Sequence, residues 1–78
     1  MTDTFKITIS KELKNARNDA GLTLIQVRDL SGIAPSTICY YENASVKMSV
    51  DVILKLLEIY NINPTIFFER CIAKTQVK

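Results

Sequence analysis

A chain of 78 residues makes one small domain, which hides only about 60% of the surface its unfolded form exposes and leaves no room for a second lobe. With 47% hydrophobic residues, 23% charged residues and a formal net charge of +2, it is too apolar for a disordered tail and should fold around one core. Histidine is absent, which removes Ser-His-Asp and Cys-His catalysis, His-containing zinc sites and the usual side-chain switch near neutral pH.

No set of carboxylates, metal ligands or nucleophile with base stands at a usable spacing, so neither an enzyme nor a bound metal or cofactor is expected. Cys39 and Cys71 are far apart and form no C-x-x-C pair, and MTDTFKITIS lacks the apolar run of a secretory signal, which together point to a reduced, cytoplasmic setting. Both thiols are expected as small buried hydrophobes. The densest apolar stretch, VILKLLEIY, is interrupted by Lys55 and Glu58 and is too short to span a bilayer.

Taken in chain order, Phe5, Ile7 and Ile9 alternate with Lys6, Thr8 and Ser10, so residues 1–8 are expected as an edge strand or extended arm ahead of a domain over 9–72. Ser10 is then the N-cap of a first helix with Glu12 in its first turn, apolar or small residues at Leu13, Ala16 and Ala20, and a stop at Gly21. Thr23 with Gln26 reads as a capping box that starts a second helix at Leu24, and Gly32 ends it. Pro35 opens a third helix running to about Asn43; Ile33 is placed to staple onto Ile38, but Ala34 is a poor cap, so this start depends on packing.

Ser49 caps a strongly apolar fourth helix whose charges, Asp51, Lys55 and Glu58, fall on one narrow stripe expected to be its only face toward water. Asn61 is a left-handed C-cap candidate. Asn63-Pro64 starts a last helix carrying Ile66, Phe67, Phe68, Cys71 and Ile72, with residues 73–78 as a fraying tail. The sum is an all-α bundle of five short helices. Its centre, GLTLIQVRDLSGIAPSTICYYEN, has the two short helices and Gly-containing turn that a helix-turn-helix requires, with Val27 and Ile38 able to meet across the corner.

That stretch resembles the Cro and repressor (XRE) family of phage and bacterial regulators, and the likeness extends from about Ile9 to Phe68. The resemblance implies a five-helix, lambda-repressor-like fold and a DNA-binding transcriptional regulator, a component of a phage or prokaryotic genetic switch. It implies a partly buried structural ion pair between Arg17 and Glu42. It places Pro35, Ser36, Thr37 and Tyr40 toward the bases, and Asn43 and Lys47 on phosphates together with backbone N–H groups near Thr23. Proteins of this kind usually bind a double-stranded operator as dimers, and the apolar excess of the last two helices, especially Phe67 and Phe68, either is a candidate subunit surface or simply closes the small core.

The chain also departs from the family pattern. Leu24 stands where many relatives carry a phosphate-holding glutamine. Arg28 stands where a small residue is usual, so either it snorkels to the surface, toward a phosphate, or the helix pair packs differently. Residues 1–21, 22–43 and 44–78 carry net charges of +1, −1 and +2, leaving the helix-turn-helix unit slightly acidic. Its third helix has no Arg, Lys, Gln or Asn before Asn43, so the bidentate readers of guanine and adenine are missing.

Two functions therefore stay open. In one, the chain binds DNA, with Lys11, Lys14, Arg28 and Lys47 supplying affinity around the rim. In the other, the face of the third helix binds a partner repressor protein, as an antirepressor or modulator would, in a heterocomplex rather than a homodimer. An antitoxin with a toxin partner would share the same fold.

Overall fold

The computed structural model describes residues 2–76. They form α1 (Thr2–Asp19), α2 (Leu24–Ser31), α3 (Pro35–Glu42), α4 (Val50–Ile59) and α5 (Pro64–Gln76), with no strand among the described residues. α1 packs along α5 and against α3, while α2 packs on α3 and α4. Leu13 of α1, Val27 of α2, Ile38 of α3, Leu57 of α4 and Phe67 of α5 are each at most 1% exposed, so every helix contributes to one core.

Helix boundaries follow from local chemistry. At the start of α2 the Thr23 N–H donates to Gln26 Oε1 at 2.8 Å and the Gln26 N–H donates to Thr23 Oγ1 at 3.1 Å, a complete capping box. Ser49 accepts from the Val52 N–H, and Asn63 Oδ1 accepts from the N–H groups of Thr65 and Ile66. Ala34 offers α3 no side-chain cap, and Pro35 occupies its first turn.

At the other ends, α1, α3 and α4 share one device: a left-handed residue, respectively Gly21, Ala44 and Asn61, followed by an N–H that reaches back to the last turn. Those donors are Leu22 to the Arg17 carbonyl, Ser45 to Tyr40 and Ile62 to Leu57. Ala44, with φ 58°, holds a position that favours glycine.

Three expectations need correction. Residues 2–8 are neither strand nor extended arm but the first two turns of α1, and Ser10 is a buried mid-helix residue rather than a cap; Met1 lies outside the described residues. The alternation that suggests a strand also places Phe5, Ile9, Leu13 and Ala16 at helical spacing on the face that meets the core. A lone strand would have had no partner for its amides, whereas the helix satisfies them internally.

The tail expected to fray continues α5 to Gln76. Lys74 Nζ meets Glu12 Oε2 at 2.8 Å, Arg70 Nη1 lies 3.9 Å from Glu12 Oε1, and Cys71 between them is fully buried. Val77 and Lys78 lie outside the described residues.

α4 is less enclosed than its charge stripe suggests: Val50 and Leu54 are exposed beside Asp51, Lys55 and Glu58. Phe67 and Phe68 do not form an exposed apolar surface. Phe67 is 1% exposed and packs edge-to-face on the half-buried Phe68 with centroids 5.4 Å apart, closing the core. Ile66 and Ile72 are the exposed apolar residues of α5.

The thiols divide. Cys71 is buried, and desolvation pushes it up to about 11, whereas Cys39 is only half-buried.

Ala44→Gly should stabilise the protein by about 0.5–1 kcal/mol, since the left-handed conformation costs an L-residue more than the added freedom of glycine costs in the unfolded chain. Thermal melting should show a rise of several degrees; a fall would mean that the Ala44 methyl makes a contact worth more than the strain.

Candidate nucleic-acid interface

The recognition unit is held to its scaffold by one guanidinium. Arg17 Nε donates to Glu42 Oε2 at 2.8 Å, Nη2 donates to Glu42 Oε1 at 3.1 Å, and Nη1 donates to the Leu22 carbonyl at 2.9 Å. Both charged side chains are largely enclosed, at 11% and 6% exposure. The hydrogen bond to Glu42 raises the Arg17 pKa above its ordinary value against the opposing effect of burial. With all three nitrogens engaged inside the protein, Arg17 is a structural residue that fastens the end of α3 and the approach to α2 onto α1.

Tyr60 lies close enough to feel both charges. Burial, reinforced by Glu42 and opposed by Arg17, pushes its hydroxyl up to about 12, and that hydroxyl is buried without a hydrogen-bond partner among the described residues.

The corner between α2 and α3 is built by the backbone. Gly32, at φ 77°, donates its N–H to the Arg28 carbonyl at 2.8 Å, and the Ile33 N–H donates to Ser31 Oγ at 3.1 Å. A Cβ at Gly32 would meet nothing within 4 Å, so glycine is needed there for its φ and not for space. Ser31, whose role sequence reasoning missed, is buried and caps the turn through its hydroxyl. A serine immediately before the helix-ending glycine was the available signal.

α3 turns Ile38 and Glu42 inward and leaves Ser36, Tyr40 and Asn43 exposed on a stripe at helical spacing, with Tyr40 52% exposed. Pro35 and Thr37 are half-buried at its first turn. Thr23 is exposed at the start of α2, where its capping box occupies its own N–H and that of Gln26, leaving the first-turn amides of Leu24 and Ile25 outside the box. Leu24, at the position of the missing glutamine, is half-buried against the core.

Arg28 does snorkel outward. Its Nε and Nη2 donate to Asp29 Oδ1 at 3.1 and 2.9 Å, with both side chains exposed, so the pair is weak and exchangeable. Lys47 is exposed on the segment joining α3 and α4, and Lys11 and Lys14 are exposed on α1. Ile25 and Leu30 of α2, 50% and 61% exposed, are further surface features that the sequence pattern did not single out. No group of three or more His, Cys, Asp or Glu residues that would hold a metal ion occurs among the described residues, and no described helix is long and apolar enough to cross a membrane.

The family model described as helix-turn-helix matches residues 13–67, most of the chain, and covers the whole of α2, the Gly32 corner, α3 and α4. The chain belongs to the XRE helix-turn-helix family. No curated protein and no solved structure shows a significant match to it. As an XRE-family domain of all-α, lambda-repressor-like fold, it carries the architecture of a DNA-binding regulator, with α3 in the place of the recognition helix.

Two substitutions test how this unit is held. Arg17→Ala should cost about 3–5 kcal/mol, because it strands the buried Glu42 carboxylate, and urea denaturation should show the loss as a lower midpoint at unchanged slope. A cost below about 1 kcal/mol would mean that water can reach and solvate Glu42.

Tyr60→Phe should leave stability at pH 7 equal or higher by about 1 kcal/mol, since the hydroxyl it removes is buried and unpartnered. A raised folded-state pKa leaves the native protein at full stability below pH 10 and costs it stability as the pH climbs toward 12. The phenylalanine variant should lack that portion of the alkaline loss. If it unfolds along the same alkaline curve as the parent, Tyr60 ionises equally well folded and unfolded.

Proposed function

We propose that this chain is a cytoplasmic transcriptional regulator of Cro/repressor type, part of a phage or prokaryotic switch, which binds an operator duplex as a dimer through the exposed face of α3. The observation that carries the reading is the exposed stripe of Ser36, Tyr40 and Asn43 on a helix whose inward face is fixed by Ile38 and the Arg17–Glu42 pair. Pro35, Ser36, Thr37 and Tyr40 meet base edges in the major groove. With no bidentate side chain among them, they read thymine methyls and make single hydrogen bonds.

Asn43, Lys47 and the first-turn amides beside Thr23 hold phosphates, and Arg28 exchanges Asp29 for a phosphate when the duplex docks. Lys11 and Lys14 add to the basic rim. Specificity is modest and affinity largely electrostatic, because the reading helix supplies no cation.

One observation favours a second reading. Ile25, Leu30 and Tyr40 expose apolar and aromatic surface on the same two helices, within a unit of net charge −1. An aromatic patch with few charges also suits a protein partner. In this reading α3 engages a partner repressor, and the chain acts as an antirepressor in a heterocomplex.

Binding of random and operator-like duplexes at several salt concentrations separates the two. Four to five neutralised phosphates give a log-log salt slope of about −4, and Lys47→Ala should reduce its magnitude by about 1. Tyr40→Ala should lower duplex affinity about tenfold with the melting temperature unchanged, as expected for an exposed contact residue. Absence of duplex binding at low salt, together with a stable mixed complex with a repressor, would replace the first reading with the second.

A further inference from the structure

A groove of about 480 Å³ lies between α1 and the segment that joins α3 to α4, within the range of about 300–1,000 Å³ typical of small-molecule sites. One wall is the face of α1 that presents Lys6, Ile9 and Ser10, one helical turn of side chains at i, i+3 and i+4. Ile53 of α4 and the segment Ala44–Met48 form the other side. That segment is held in shape where the Ser45 N–H donates to the Tyr40 carbonyl at 2.9 Å, just beyond the left-handed Ala44.

The groove has a definite chemical character. Ile9 and Ile53, 8% and 6% exposed, supply apolar surface at its base, and Val46 and Met48 add to it. Among the described residues its polar side chains are the buried Ser10, Ser45 and two lysines, Lys6 and Lys47. Among the described residues no carboxylate lines it and neither lysine forms an ion pair; the ion pairs found there involve Arg17, Arg28, Arg70 and Lys74. An apolar slot flanked by two ammonium groups is complementary to an apolar chain that ends in a negative charge. A cation would meet two like charges there, and an uncharged polar end would gain hydrogen bonds but not the charge-assisted ones open to an anion.

We propose that this groove binds a small anionic amphiphile, a medium-chain carboxylate, with its chain against Ile9, Ile53 and Met48 and its carboxylate between Lys6 and Lys47. The site lies apart from the stripe of Ser36, Tyr40 and Asn43 and shares only Lys47 with the proposed phosphate contacts, and the proposal does not rest on DNA binding.

The test is a heteronuclear NMR titration of the full chain with decanoate, kept below its micelle-forming concentration, and in parallel with decanol. Saturable shifts should be confined to the amides of Lys6, Ile9, Ser10 and residues 44–48. Lys6 is exposed, so its variants should fold as the parent does. Lys6→Glu should weaken decanoate binding about tenfold, equivalent to about 1.4 kcal/mol, while Lys6→Arg retains it. Decanol, which lacks the charge, should bind at least about fivefold more weakly than decanoate. Shifts that never saturate or spread over the helical surface, an unchanged affinity in Lys6→Glu, or decanol binding as tightly as decanoate would each overturn the proposal.

Discussion

The arrangement of this domain depends on a guanidinium that holds three things at once. Arg17 grips both oxygens of Glu42 and the carbonyl of Leu22, so the last turn of α1, the approach to α2 and the last residue of α3 share one hub. The helix-turn-helix itself is short, two helices of eight residues each, and helices of that length are not stable alone in water. Its angle to the rest of the protein is therefore set by what the helices are tied to. A bidentate pair adds direction to the non-directional packing of Val27, Ile38 and Leu57, and direction is what presentation of a reading helix requires.

A second, looser tie does the same for the chain ends. Glu12, 6% exposed, takes Lys74 and the more distant Arg70 from α5. The two acidic residues so enclosed, Glu12 and Glu42, each face basic partners, so the buried carboxylates hold the bundle together. This strapping of α5 onto a lengthened α1 leaves the outward stripe of α3 as surface. It also makes the groove at Lys6, Ile9 and Ser10, whose wall would not exist if the first residues were an extended arm.

Much of this was legible in the residues because the signals are local. The Thr23–Gln26 box, Gly32 with Pro35, Ser49, Asn61 and Asn63-Pro64 each specify a boundary through groups within a few positions of one another, and each boundary lies where that chemistry places it. The helix-turn-helix was legible for the same reason, since spacing and a glycine that tolerates φ 77° define its corner. The N-terminal residues misled because Phe5 and Ile9 fit both a strand period and one face of a helix, while Ile7, which completes the alternation, is exposed. The choice between them lies in α5, more than fifty residues away. Whether Phe67 met a partner subunit or closed the core was likewise settled by the packing of the helices, which buries it.

The candidate interface divides along the same line. Which side chains α3 offers was set by the sequence alone: Ser36, Tyr40 and Asn43 without an arginine or lysine, in a unit of net charge −1. That Arg28 turns outward onto Asp29, that Leu24 turns inward, and that Lys6 and Lys47 flank one groove were decided only by the tertiary structure. Caps, turns and helical periodicity are interactions between near neighbours, so the order of residues determined the five helices and the recognition motif. Burial and the pairing of distant charges depend on how those helices pack, and no local pattern contains that information.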